Sequence, residues 1–222
     1  MLIYAHRGWS SRHPENTLRA FANAIALGVD GIELDVHLSA DGAPVVIHDR
    51  ELARTTNGVG YVDEAPLAEL LSLDAGEGER IPTLRDVLEL AGSSVHLDIE
   101  IKAPEAGIAV LEELHAIPQV RWAISSFEWN VLRQLHRAAG SIELWPLAVK
   151  CDDALLAVAA ELHSPVVALE DSAYTEDTAA LLRSARLKAF LWTVNEPDEG
   201  RRVKRMGAFA LCTDDPSLFI AK

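Results

Sequence analysis

The sequence predicts an α/β fold, a (β/α)8 TIM barrel with a short excursion after the second strand. Short apolar runs rich in Val and Ile alternate along the chain with longer segments of helical period, a pattern typical of a parallel sheet. About eight such units fit into the 222 residues, as a barrel requires. Hydrophobic residues make up 49% of the chain, enough for one large core, so residues 1–222 are predicted to form a single domain.

The N-terminal part of the chain predicts three strands and one helix. Residues 2–5 form the first apolar run, and a helix is expected to follow, with Pro14 near its start and Gly28 at its end. Residues 31–38 alternate between apolar and polar side chains and predict the second strand. Residues 44–47 follow an Asp-Gly turn signal, so this run is predicted to pair back onto the second strand.

The stretch 49–82 carries no strand signal and is predicted to form the small excursion above the barrel, with a short helix in "APLAELLSL". Beyond it, strands and helices alternate regularly. The predicted strands are 95–101, 121–125, 142–149, 165–169, 189–194 and 208–213, and the helices are "TLRDVLELAG", "APEAGIAVLEELHAI", "EWNVLRQLHRAAG", "DDALLAVAAELH", "TEDTAALLRSARL" and "EPDEGRRVKRMG". A doubly wound open sheet is the main alternative, but no strand is followed by a glycine-rich phosphate loop.

Carboxylates occur on one face of two predicted strands. In "GIELDVHLS" the apolar residues alternate with Glu33 and Asp35, and in "SVHLDIEIK" they alternate with Asp98 and Glu100. The apolar face must lie under the helices, so the carboxylates point into the barrel. A buried ionised carboxylate is costly unless it is paired or binds a metal ion. Glu33, Asp35 and Glu100 therefore predict an all-oxygen site for Mg²⁺, Ca²⁺ or Mn²⁺, the alternative being an antiparallel sheet with one solvated face.

Two histidines end predicted strands, His6 in "LIYAH" and His48 in "PVVIH". Active sites of parallel barrels lie at the carboxyl ends of the strands, where imidazoles near a metal site can serve as general acid and general base. A purely structural role is the alternative for each of them. His37 and His96 occur earlier in their strands and are predicted to pack in the interior.

The composition excludes several classes of partner. A formal net charge of −14 argues against binding to nucleic acid or to an anionic membrane surface. Two cysteines without Cys-x-x-Cys spacing indicate a reduced intracellular protein. The chain shows no signal-peptide pattern and no apolar run near the ~18 residues that span a bilayer. A cytoplasmic protein without stable membrane association is expected.

The ordered motifs "AHRG", "PENT", "GIELDVHLSADGAPVVIHD", "LARTTNGVG", "IPTL", "IEIK", "LWTVN" and "TDDP" resemble the glycerophosphodiester phosphodiesterase family from residue 6 to residue 216. The resemblance implies a (β/α)8 barrel and a divalent cation, Mg²⁺ or Ca²⁺. It also implies hydrolysis of a small-molecule glycerophosphodiester to an alcohol and sn-glycerol 3-phosphate. Two alternatives stay open: a lipid phosphodiesterase of lysophospholipase D or phospholipase C type, and a non-catalytic phosphate-binding barrel.

The resemblance also implies roles for individual residues. Glu33, Asp35 and Glu100 match the metal ligands, and His6 and His48 match the acid/base pair, for which we expect His6 as base and His48 as acid. Arg7 and Lys102 match phosphate-holding positions, with an ion pair to Glu33 or Glu100 as the alternative for Lys102. Trp192 and Phe127 match residues that line the substrate pocket, with barrel filling as the alternative for Trp192. Residues 14–17 are expected to be structural, and Trp9 is expected to narrow the pocket.

Overall fold

The computed structural model describes residues 1–220, and strands and helices alternate along them. The strands are β1 (Leu2–His6), β2 (Gly31–Leu38), β3 (Pro44–Val46), β4 (His96–Ile101), β5 (Arg121–Ser126), β6 (Leu144–Ala148), β7 (Val166–Glu170), β8 (Lys188–Trp192) and β9 (Ala210–Thr213). The α-helices are α1 (Leu18–Leu27), α2 (Leu67–Leu70), α3 (Leu84–Ala91), α4 (Ala106–Ala116), α5 (Trp129–Ala139), α6 (Asp153–Glu161), α7 (Glu176–Ser184) and α8 (Pro197–Arg205).

The sheet closes into a barrel. Its strand order is β1-β9-β8-β7-β6-β5-β4-β2-β3, and β1 also pairs with β2. All neighbouring strands are parallel except β3, which pairs antiparallel with β2 outside the ring of eight. The predicted (β/α)8 barrel and the pairing of 44–47 back onto the second strand are therefore confirmed, and the open-sheet alternative is excluded.

The first helix begins later than the sequence suggested. Thr17 is its N-cap, because the Thr17 side chain accepts a hydrogen bond from the backbone N–H of Ala20, and Gly28 ends the helix in the left-handed region with φ of 90°. Residues 14–17 thus form a loop at the barrel mouth. Gly8 lies against the start of α1, where a Cβ atom would come within 2.7 Å of the Ala20 backbone.

The excursion after β3 carries its own small core. Buried side chains of Leu52, Val62, Leu70 and Ile81 pack together there and against Val45 of β3. The excursion is tied back to the barrel because the backbone N–H of Val46 donates to the carbonyl of Pro82 at 2.9 Å. These contacts fix the end of β3, where His48 follows.

Aromatic side chains fill the lower part of the barrel interior. Tyr4 lies edge-on to Phe190, with ring centroids 5.0 Å apart, and His96 stacks on Trp145 at 5.5 Å. The Tyr4 hydroxyl contacts Nδ1 of His96 at 3.0 Å. Burial lowers the pKa of His96 to about 4, so this imidazole is neutral. The predicted packing role of His96 is confirmed, and this floor leaves the opposite end of the barrel open for a site.

No α-helix within residues 1–220 combines the length and the apolar character that a membrane crossing requires.

Candidate active site

A cavity of about 140 Å³ opens at the carboxyl ends of the barrel strands. Every residue predicted for the site lines it except Asp35, which lies just below and is fully buried. The lining residues are His6, Arg7, Glu33, His48, Asp98, Glu100, Lys102, Ser125, Phe127, Leu147, Phe190, Trp192, Thr193 and Cys212. Residues far apart in the chain are thus collected at one end of the fold, as barrel closure requires.

Three carboxylates meet at this cavity, two of them in its lining. Each of Glu33, Asp35 and Glu100 offers an oxygen, and these oxygens all lie within 4.8 Å of one another. The register of the parallel strands brings them together, because Asp35 of β2 pairs directly with Glu100 of β4. Oxygen-only donors at this spacing fit a hard divalent cation.

The charges of the carboxylate cluster are not balanced by the protein alone. Burial raises the pKa of Glu33 well above its usual range, and the neighbouring charges of Asp35 and Glu100 raise it further. Burial and then the charge of Asp35 raise the pKa of Glu100 to about 7. Asp35 Oδ1 is buried without a hydrogen-bond partner among the described residues. This oxygen lies close to the carboxylates of Glu33 and Glu100, so a bound cation would supply the partner that it lacks.

Asp35 itself is held by cationic and amide groups. Its Oδ2 accepts a hydrogen bond from Asn16 at 2.8 Å and lies 3.2 Å from Nε of Arg7, while its Oδ1 lies 3.7 Å from Nζ of Lys102. Burial would raise the pKa of Asp35, but Arg7 and Lys102 outweigh it, so the pKa is lowered and Asp35 stays ionised. The "PENT" motif predicts a structural role for Asn16, but the motif alone does not indicate this contact with the second strand.

Arg7 is directed into the cavity by an unusual backbone conformation, with φ of 55° in the left-handed region. Its Nη1 donates to Glu15 at 2.9 Å, and Glu15 also accepts from Arg54 at 2.8 Å. The backbone N–H of Arg7 donates to Glu33 at 3.1 Å. Within residues 1–220 the Nη2 group makes no hydrogen bond, so it is the part of the guanidinium left to meet an anionic oxygen.

Both predicted catalytic histidines are oriented by carboxylates. His6 Nδ1 donates to Asp214 Oδ1 at 2.6 Å, and His48 Nδ1 donates to Asp49 Oδ1 at 2.5 Å. Burial alone would raise the pKa of Asp214, but the hydrogen bond and the charge of His6 lower it, so Asp214 stays ionised. Nε2 of each ring is consequently the nitrogen left for chemistry. Asp214 was not predicted, although it stands in the "TDDP" motif directly after β9.

The surroundings of the two Nε2 atoms differ. Nε2 of His48 lies 3.3 Å from Nζ of Lys102, which can only donate, so this nitrogen is an acceptor and carries no proton. Burial lowers the pKa of His48. The positive charges of Arg7 and Lys102 lower this pKa further, whereas the negative charge of Asp35 raises it. Nε2 of His6 instead lies 3.9 Å from Glu33 Oε2. The two Nε2 atoms thus have different neighbours, the ammonium of Lys102 for His48 and the carboxylate of Glu33 for His6.

Lys102 forms an ion pair with Glu100, the alternative to phosphate binding that the sequence left open. Its ammonium lies 2.8 Å from Glu100 Oε1 and also lines the cavity. Burial lowers the pKa of Lys102, but the negative charges of Glu100 and Asp35 together have the larger effect and raise it. The Lys102 side chain is therefore cationic. An ion pair with Glu100 and a position facing the cavity are thus compatible.

Phe127 and Trp192 form an aromatic pair at the cavity mouth, with ring centroids 5.4 Å apart and planes at 86°. Phe127 is 42% exposed, whereas Phe190 fills the interior below. The expectation for Trp9 is wrong. Its indole N–H donates to Asp215 at 3.0 Å and its ring packs on the helix side of the sheet, because the left-handed turn at Arg7 and Gly8 directs it away from the cavity.

The raised pKa of Glu100 predicts how stability depends on pH. Between the ordinary pKa of 4.5 and the folded-state pKa of about 7, the unfolded chain is ionised at this position while the folded chain holds the proton. Without metal, stability should therefore fall as pH rises through this window. Because a divalent cation binds the ionised form, the rise in Tm on adding Mg²⁺ should be larger at pH of about 8 than at about 5.5.

Thermal unfolding followed by circular dichroism, with EDTA or with Mg²⁺, measures both effects. A metal-induced change in Tm that is the same at the two pH values would contradict the proton competition.

The chain has extensive similarity to known proteins. A model of the glycerophosphoryl diester phosphodiesterase family matches residues 6–218. A glycerophosphodiester phosphodiesterase of Caldanaerobacter subterraneus subsp. tengcongensis is 37% identical over 99% of this chain and 96% of its own. The structure of an Oleispira antarctica phosphodiesterase in complex with the product sn-glycerol-3-phosphate has a TM-score of 0.93 and 29% identity, covering 97% of this chain and 94% of that one. The crystal structure of a glycerophosphodiester phosphodiesterase from Thermotoga maritima has a TM-score of 0.86 and 30% identity, and the match covers 99% of this chain and 96% of that one.

Proposed function

The chain belongs to the glycerophosphoryl diester phosphodiesterase family, and we propose that it hydrolyses glycerophosphodiesters to an alcohol and sn-glycerol 3-phosphate in the cavity described above. The proposal rests mainly on the way two groups of side chains lie together in the cavity. A three-carboxylate cluster lies beside two imidazoles whose Nδ1 atoms are both held by carboxylates. The product bound to the Oleispira antarctica relative supports the same substrate class.

Glu33, Asp35 and Glu100 would hold a divalent cation, Mg²⁺ or Ca²⁺, with Mn²⁺ also compatible with these ligands. When bound, the cation would neutralise charge on the non-bridging oxygens of the phosphodiester. The buried Asp35 Oδ1, which lacks a hydrogen-bond donor, is the observation that best supports this fit.

Arg7 and Lys102 would hold the phosphate from the protein side. Both line the cavity and both are cationic, as the raised pKa of each side chain indicates. Arg7 has Nη2 free for an oxygen, and Lys102 would exchange its contact with His48 for one with the phosphate. Preorganised cations of this kind stabilise charge that develops in the transition state.

The two histidines would transfer the protons, with His48 as base and His6 as acid, in place of the initial expectation of His6 as base and His48 as acid. His48 Nε2 takes the proton from the attacking hydroxyl group, which belongs to water or to the glycerol part of the substrate. His6 Nε2–H gives a proton to the oxygen of the departing alcohol. Asp49 and Asp214 hold the rings in the required tautomer and stabilise the imidazolium form, as the acid does in other carboxylate-histidine pairs.

Phe127 and Trp192 would line the substrate pocket around the phosphate. We further propose a cytoplasmic location. Cys151 and the buried Cys212 are both free thiols, as expected for a protein in a reducing compartment.

The reaction products test the proposal. With Mg²⁺ present, phosphorus-31 NMR of glycerophosphocholine should show conversion to sn-glycerol 3-phosphate with release of choline, and a His6→Ala/His48→Ala double variant should show none. Phosphocholine as the phosphorus product would indicate cleavage on the other side of the phosphate, and lysophosphatidylcholine turned over faster than glycerophosphocholine would indicate a lipid phosphodiesterase. Either outcome would contradict the proposed function.

A further inference from the structure

The motif "LARTTNGVG" lies in the excursion and contains Arg54, which has no role in the steps proposed above. Arg54 ends a short 3-10 helix, Leu52–Arg54. The buried side chain of Leu52 anchors this turn in the small core of the excursion, and the backbone N–H of Leu52 donates to the carbonyl of Gly60 at 2.9–3.0 Å-type hydrogen-bond distance, namely 3.0 Å. The backbone that carries Arg54 is therefore fixed, although the Arg54 side chain itself is 46% exposed.

The guanidinium of Arg54 binds two carboxylates at once. Its Nη1 and Nη2 donate to the two oxygens of Glu15 at 2.9 and 2.8 Å, the paired geometry that a planar guanidinium forms with a carboxylate. Its Nε donates to Oδ2 of Asp49. A guanidinium with all three nitrogens engaged restricts the orientation of both carboxylates, whereas the ammonium of a lysine would act as a point charge.

Asp49 transmits this restraint to His48. Its second oxygen, Oδ1, contacts Nδ1 of His48 at 2.5 Å, so the two oxygens of one carboxylate have two different donors. The hydrogen bond from Arg54 is the main reason that the pKa of Asp49 is lowered to about 2. Asp49 is therefore ionised and held in one orientation, and the imidazole that it holds lines the cavity.

Glu15 anchors Arg54 to the barrel. It follows β1 in the loop of residues 14–17, and its Oε1 also accepts a hydrogen bond from Nη1 of Arg7 at 2.9 Å. This second contact does not involve Arg54, so Arg7 keeps its partner when Arg54 is replaced. Replacement of Arg54 should therefore disturb His48 more than it disturbs the binding of phosphate by Arg7.

We propose that Arg54 is a positioning residue for His48, which it orients through Asp49 while Glu15 holds Arg54 in place. The inference rests on the proposed function, in which His48 is the general base. A base must lie within hydrogen-bond reach of the proton that it removes. An imidazole whose carboxylate partner is free to turn spends less time in the productive orientation, and small losses of orientation at a reacting group are costly in rate.

Arg54→Met removes the three donors and keeps an unbranched apolar side chain. With Mg²⁺ and glycerophosphocholine, kcat should fall by about tenfold or more, a part of the roughly 10²–10⁴-fold that a general base contributes, while KM changes less than about threefold. If circular dichroism shows that Arg54→Met does not fold, Arg54→Lys is the second variant. It keeps the positive charge but not the paired geometry, so kcat should still fall by about threefold or more.

The same substitution in a His48→Ala background separates positioning from a general structural effect. Without the imidazole there is no base for Arg54 to orient. Arg54→Met should then change the remaining rate by less than about twofold, measured with the p-nitrophenyl ester because its product is coloured. A disturbance of the whole cavity would instead lower the remaining rate as much as it lowers the rate of the protein with His48.

Arg50→Met is the matched control. Arg50 also belongs to the excursion and forms ion pairs with Asp63 and Glu64, and its side chain is 50% exposed. This variant should leave kcat and KM unchanged. No loss in the Arg54 variants, an equal loss in Arg50→Met, a rise in KM without a fall in kcat, or an undiminished effect in the His48→Ala background would each overturn the inference. A wild-type protein that does not hydrolyse glycerophosphocholine would instead contradict the proposed function.

Discussion

His48→Ala is expected to lower kcat/KM for glycerophosphocholine by about 10²–10⁴-fold, the usual contribution of a general base. The deficit should persist with an activated aryl phosphodiester such as the p-nitrophenyl ester, because a base is needed whatever group departs. The physical reason is the state of Nε2, which accepts from Lys102 and is held in that tautomer by Asp49.

His6→Ala should behave differently on the two substrates. Its loss should be as severe on glycerophosphocholine, but much smaller on the aryl ester, because p-nitrophenolate departs without protonation. Circular dichroism of each variant controls for folding. If His48→Ala is the variant rescued by the aryl leaving group, the acid and base roles are reversed, and if neither substitution slows the natural diester, the pair does not carry the chemistry.

Glu33→Gln should separate metal binding from stability. The substitution removes one of three buried repelling carboxylates whose pKa is raised by burial and by Asp35, so the metal-free variant should be at least as stable as the metal-free wild type. It should nevertheless lose the rise in Tm on adding Mg²⁺ and lose activity by about 10²-fold or more, because the oxygen cluster is incomplete.

Asp98→Asn is the matched control for Glu33→Gln. Asp98 pairs in register with Glu33 and lines the same cavity, but it is not part of the three-carboxylate cluster. Burial raises the pKa of Asp98 to about 8, so the side chain is mostly neutral at neutral pH and the amide replaces it without a change of charge. Activity and the metal response should be retained within a few-fold; a loss equal to that of Glu33→Gln would argue against a specific role for the cluster.

The parts of the site that follow strand periodicity could be predicted from the sequence. Alternation with a period of two placed Glu33, Asp35 and Glu100 on the interior face, and strand ends placed His6 and His48 at one mouth.

Contacts that depend on barrel closure could not be predicted. His6 meets Asp214 across 208 positions of the chain, and this pair forms only because β1 lies beside β9. Trp9 was misplaced because its direction depends on a left-handed turn, where no periodic rule applies. Lys102 reaches His48 because β3 folds back onto β2, so the contact depends on the hairpin and on the anchoring of the excursion.

The claim that the carboxylate cluster and the paired histidines form one metal-dependent hydrolytic site is tested most directly by turnover of glycerophosphocholine after exhaustive chelation. The chelated wild-type protein should be inactive, and Mg²⁺, Ca²⁺ or Mn²⁺ should restore formation of sn-glycerol 3-phosphate, whereas Glu33→Gln should not respond. Full activity of the chelated protein, or equal restoration of Glu33→Gln by the same ions, would contradict it.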